Sequence, residues 1–148
     1  MLTTLAAGFF WLLFQLTPAS PPTDCADQTL SIRVENITAA GGHLWVGIYD
    51  SPDNFLIQEL ARVEGFEVTS TGNMQLQIPN LAAGKYALAI FHDENNNGTL
   101  DQGTFGIPQE PYVFSRKPKS KWRAPRFEEV AVDLKECDAI TLRLDGWW

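Results

Sequence analysis

The chain has 148 residues, with 18 Asp and Glu against 11 Lys and Arg and a formal net charge of -7 at pH 7. That length suits one domain that buries its own core, and the acidic balance argues against nucleic acid as a partner. The two cysteines and two histidines are scattered along the chain, and no Cys or His cluster completes a zinc site.

Residues 1–20, MLTTLAAGFFWLLFQLTPAS, carry no charged side chain, and the apolar run over 5–16 is short for about 30 Å of hydrocarbon. It reads as a signal peptide with Ala19 at the cleavage site, which makes 28–148 a single exported domain, secreted or periplasmic. No Lys or Arg precedes the run, so an uncleaved apolar anchor is the competing reading. Export in turn pairs Cys25 with Cys137 as a disulfide. Closing so long a loop stabilises by up to about 4 to 5 kcal/mol on the chain-entropy model.

Beyond the leader, LSIRVENI over 30–37 alternates with period two, an Ala-Ala-Gly-Gly turn follows, and HLWVGIYD makes the second strand. Ser51 and Pro52 have the form of an N-cap and first helical residue, so the pattern predicts a short helix over 53–61 with Leu56, Leu60 and Val63 on its apolar side. FEVTS, MQLQIP and KYALAIFHD predict three more strands. PYVFS, FEEVAVDL and AITLRLDG predict up to three further ones. The expected fold is all-β: an antiparallel β-sandwich of seven or eight strands with one short helix.

The segment FHDENNNGTLDQG, residues 91–103, holds the densest chemistry. A hard cation such as calcium needs six to eight oxygens, which a tight loop supplies by spacing short oxygen-bearing side chains at its positions 1, 3 and 5. Asp93, Asn95 and Asn97 occupy those positions, Gly98 the sharp turn at position 6, Thr99 the backbone-carbonyl position and Asp101 position 9. Leu100 anchors the loop. The bidentate Glu of the helical version is missing, since Thr104 stands at position 12, with Glu94 and Glu110 as substitutes. Two carboxylates predict weak calcium affinity, with a Kd of about 10⁻⁴ to 10⁻³ M. The competing reading is an Asx-rich turn that needs no metal.

These residues carry a resemblance. GKYALAIFHDENNNGTLD, FGIPQEPYVFS and APRFEEVAVDL together resemble the bacterial secreted proteins of domain-of-unknown-function family 2141, over roughly residues 29–145. The resemblance implies an exported sandwich, transthyretin-like or immunoglobulin-like, and no activity. Pro111 and Arg116 depart from the family pattern within the 110–116 segment.

Two surfaces and one catalytic possibility complete the reading. His43, Trp45, Gly47 and Tyr49 lie on one face of their strand, and Ala87, Ala89 and Phe91 on one face of theirs. If the strands pair, Trp45, Tyr49 and Phe91 form an aromatic surface for a glycan or a peptide, unless the 53–61 helix or the FGIPQEPYVFS segment covers it. Between 116 and 126, RKPKSKWRAPR concentrates six of the basic residues and no acidic one, leaving 11 - 6 = 5 basic against 18 acidic residues, or -13, elsewhere. That loop, with Trp122, suits contact with anionic lipid. An enzyme would work through His92, Asp93 and Glu110. The sequence favours a non-enzymatic, calcium-binding structural or binding module of the cell envelope, with an unknown envelope component, glycan or peptide as partner.

Overall fold

A computed structural model describes residues 28–120, 122–135 and 137–145. The signal peptide over 1–20, Cys25 of the expected disulfide, and Trp147 and Trp148 at the end of the chain lie outside the described residues. The strands are β1 (Leu30–Ile37), β2 (His43–Tyr49), β3 (Arg62–Glu67), β4 (Gly72–Ile78), β5 (Gly84–Asp93), β6 (Tyr112–Phe114), β7 (Val132–Leu134) and β8 (Ala139–Arg143). One sheet has the order β4-β1-β8 and the other β3-β2-β5-β6, with β7 also paired to β5.

Period-two alternation produces this arrangement because successive side chains point to opposite faces of a strand. Ile32 and Val34 of β1, Leu44 and Val46 of β2, Leu76 and Ile78 of β4, and Leu88 and Ile90 of β5 all turn inward and are buried in one cluster. Each such side chain contributes about 1.5 to 3 kcal/mol relative to exposure. Both faces of β5 are occupied, however, and its outer face carries a second cluster. There Tyr49, Ala87, Phe127, Val130 and Ala131 are buried, with Phe55, Ala89 and Phe114 packed against them.

The expected sandwich of seven or eight strands is present with eight, and with three local differences. Residues 53–61 do not form a helix. Asn54 accepts from the Ser51 amide at 3.3 Å and donates to Asp50 at 2.6 Å, closing a turn, and Leu56 adopts a φ of 63° that no α-helix accommodates. Only Gln58–Leu60 makes a 3₁₀ turn. The cause is tertiary: Phe55 enters the outer cluster, and Arg62–Glu67 pairs with β2, which leaves Leu56, Leu60 and Val63 exposed.

The short helix, α1 (Phe127–Val130), occupies the first half of the predicted strand FEEVAVDL instead. Glu129 accepts from the Arg126 amide at 3.1 Å and from Arg123 at 2.6 Å, while Phe127 and Val130 are buried on Tyr49 and Ala87. The Arg123 guanidinium first, and the Arg126 N–H with it, draw the Glu129 carboxyl down to about 2. Finally, β8 runs parallel to β1, with Ser31 opposite Ala139 and Glu35 opposite Arg143, so the three-stranded sheet is mixed.

Candidate functional site

The β2–β5 pairing sets the site. His43 lies opposite Asp93, Trp45 opposite Phe91, Gly47 opposite Ala89 and Tyr49 opposite Ala87. The predicted pairing of the two aromatic faces is therefore real, and β5 delivers Asp93 to the point where the chain leaves the sheet.

Asp93 has no accessible surface. Its Oδ2 accepts from the Gly98 amide at 2.8 Å and the Trp45 indole at 3.0 Å, and its Oδ1 from the Asn97 amide at 3.1 Å. Burial pushes this carboxyl up, but donation from Gly98, Trp45, Asn97 and Asn96 outweighs it and holds Asp93 below its ordinary value. Gly42 approaches from the β1–β2 turn with a φ of 73°, and a Cβ there would overlap the Asp93 carbonyl oxygen. The backbone can close over Asp93 only because residue 42 has no side chain.

Above this anchor the predicted ligand residues gather. Asn95 Nδ2 donates to Asp101 Oδ2 at 2.6 Å and Asn97 Nδ2 donates to Asp101 Oδ1 at 2.9 Å. Asn95 Oδ1 accepts from the Asn97 amide at 3.0 Å, and Asn97 Oδ1 accepts from both the amide and the hydroxyl of Thr99 at 2.8 Å. Asp93, Asn95, Asn97, Thr99 and Asp101 thus form one network, and two of its bonds, Asn97 N to Asn95 and Thr99 N to Asn97, are Asx turns. Among the described residues, no three His, Cys, Asp or Glu side chains gather as a metal-ligand group, so an ion here would add amide and backbone oxygens to the Asp101 carboxylate.

Glu110, 7% exposed, has a different role from the substitute ligand expected of it. Its Oε1 accepts from the Glu94 amide and its Oε2 from the Asp101 amide, each at 3.0 Å. One carboxylate therefore clasps both ends of the loop. His92 is fully buried, with Nε2 at 2.8 Å from the Gly41 carbonyl oxygen and Nδ1 at 3.7 Å from Glu94 Oε1. His92, Asp93 and Glu110 are neighbours along the loop's base, yet His92 lies inside the fold and both Glu110 oxygens face backbone donors.

The aromatic face is divided. Tyr49 is 6% exposed beneath Phe55 and α1, at 5.3 Å from the Phe55 ring, and does not present a stacking surface. Trp45 and Phe91 stay half-buried, and Tyr112 sits opposite Phe91 on β6. The Trp45 ring lies over Gly65, where a Cβ would come within 2.6 Å of it, and stacks on His43 at 5.6 Å. His43 Nδ1 meets Asn96 Oδ1 at 2.7 Å, joining the aromatic strip to the loop.

With this geometry, the family comparison falls on the same segments. A family model described as an uncharacterized protein conserved in bacteria, DUF2141, matches residues 32–141. The chain belongs to this family. That match runs from β1 into β8 and takes in Asp93, Glu110 and the whole loop between them. No curated protein and no solved structure matches the chain.

Sequence reasoning missed the hub role of Asp93, the Trp45 indole donation and the Glu110 clasp. The signal that was available is the His43–Asp93 strand register, which brings Trp45 within reach of the loop's first residue. Nothing local to residue 110 announces the clasp, because its two partners lie 16 and nine residues away.

Proposed function

We propose that this family member is a non-enzymatic, exported module of the cell envelope, binding or structural, whose 93–101 loop takes up calcium and stiffens. The single observation that supports it is convergence. Asn95, Asn97 and Asp101 meet within hydrogen-bond distance on a frame held by Asp93 and Glu110. A cation would replace the two amide donors now on Asp101, with Asn95 and Asn97 turning their oxygens inward. Asn97 would give up its bonds to Thr99 in doing so, a cost that agrees with weak affinity. In the exported protein, Cys25 and Cys137 form the disulfide.

Thermal melts in millimolar calcium and in chelator test the proposal. For a Kd of about 10⁻⁴ to 10⁻³ M, a few millimolar calcium stabilises by about 1 to 2 kcal/mol and raises the midpoint by several degrees. Asp101→Asn removes most of that rise. An unchanged wild-type midpoint would take calcium out of the account and leave the loop a self-satisfied Asx turn.

A second reading has one observation in its favour: Trp45, Phe91 and Tyr112 form a half-exposed aromatic strip beside the loop. It makes the domain a carbohydrate- or peptide-binding module, without Tyr49. Glycan-array binding that disappears in Trp45→Ala supports it, and an array with no signal for the wild type removes it.

A further inference from the structure

The end of the sandwich opposite the 93–101 loop carries a surface of another kind. Phe55 lies 6.0 Å from the Phe127 ring and 6.4 Å from the Phe114 ring, so the 51–61 connection packs on the outer cluster beside both ends of the 116–126 loop. Leu56 and Ile57, directly after Phe55, are 40% and 41% exposed, and Leu60 is 58% exposed. In the 116–126 loop Trp122 is 87% exposed. Exposed apolar side chains thus occur in both of the segments that flank the outer cluster.

The charge of this end is opposite to the rest. Arg116, Lys117, Lys119 and Arg126 are exposed, and of the loop's described cations only Arg123 is in an ion pair, with Glu129 at 2.6 Å. Asp53 and Glu59 are the acidic side chains of the neighbouring 51–61 connection, while 116–126 has none. An acidic soluble partner would satisfy the cations and leave Leu56, Ile57, Leu60 and Trp122 without apolar cover. A bilayer interface answers both: phosphates meet Lys and Arg, and Trp and aliphatic side chains enter the boundary between headgroups and acyl chains. With Asp53 and Glu59 included, the two segments carry +4 and the remainder -11, which turns the rest of the domain away from the same surface.

We propose that this end of the sandwich docks on an anionic phospholipid bilayer, with Arg116, Lys117 and Lys119 on the phosphates and Trp122, Ile57 and Leu60 at the acyl boundary. This builds on the envelope placement proposed above and is independent of calcium, because the 93–101 loop lies at the other end. The test is cosedimentation of the exported protein, in chelator, with vesicles of phosphatidylcholine mixed with phosphatidylglycerol and with vesicles of phosphatidylcholine alone. Binding is expected to the mixed vesicles only, with a blue shift of tryptophan emission that is absent in Trp122→Phe. Lys117→Gln with Lys119→Gln lowers partitioning on the order of 30-fold, from the usual contribution of a basic residue near an anionic surface. These side chains are exposed, so an unchanged melting midpoint in each variant shows that the fold is intact. Equal binding to both vesicle types, or partitioning unmoved by the double variant, overturns the proposal. So does retention on polyglutamate without vesicle binding, which assigns the surface to an acidic protein instead.

Discussion

Asp93→Ala is expected to destabilise the domain by about 3 kcal/mol or more, measured in chelator so that no metal contributes. The carboxylate is inaccessible and accepts from the amides of Asn97 and Gly98 and from the Trp45 indole. Truncation leaves the Gly98 amide and the Trp45 indole without a partner, the Asn97 amide keeping Asn95 Oδ1, at about 1 to 3 kcal/mol for each donor that stays buried. For a domain of this size the loss appears as a fall of roughly 10 °C in melting midpoint. Asp93→Asn keeps one acceptor oxygen and loses less. A midpoint within a degree or so of wild type for Asp93→Ala would show that these donors find water or other partners.

The same residue sets an acid-side dependence. Burial raises the Asp93 carboxyl and the four N–H donors lower it further, so its folded value lies below the unfolded value of about 3.9. The stabilisation is fully present above the unfolded value and is lost as pH falls through the folded one. Wild type therefore loses stability steeply below about pH 4, and Asp93→Asn, which has no proton to take up, loses it less steeply. Parallel stability curves for the two proteins in that window would remove Asp93 as the group responsible.

Glu110→Ala carries the second large effect, about 2 to 4 kcal/mol, because two backbone amides, Glu94 and Asp101, lose their acceptor together. Its signature is local as well as global. Hydrogen exchange at Glu94 and Asp101 should accelerate more than exchange in β1 or β4, since the clasp closes the loop and not the core. Glu110→Gln retains a carbonyl for one amide and presents NH₂ to the other, so it falls between Ala and wild type. If calcium binds, the calcium-dependent rise in midpoint shrinks in both variants, because the frame under Asp101 is loosened. Exchange that rises uniformly across the domain would mean that Glu110 supports the fold as a whole and does not specifically clasp the loop.

Local chemistry determined much of this protein from the sequence alone. Period-two alternation decided the strands and which residues of β1, β2 and β5 face the core, because a strand's side-chain direction depends only on its own pleat. Spacing also sufficed to bring Asp93, Asn95, Asn97 and Asp101 together, since a turn of nine residues leaves those side chains few other places to go. Tertiary structure decided what depends on distant segments. Ser51-Pro52 has a helix-start signature, but Phe55 is drawn to Phe114 and Phe127, and burying that ring outweighs the modest propensity of an isolated short helix. FEEV reads as strand, yet with Ser115 Oγ donating to the Val130 carbonyl at 2.6 Å and Phe127 over Tyr49 it closes into one helical turn. The Glu110 clasp and the packing of Phe55 on Phe114 and Phe127 likewise join residues remote in the chain. Their physical cause is packing across the sheet, which no local pattern encodes.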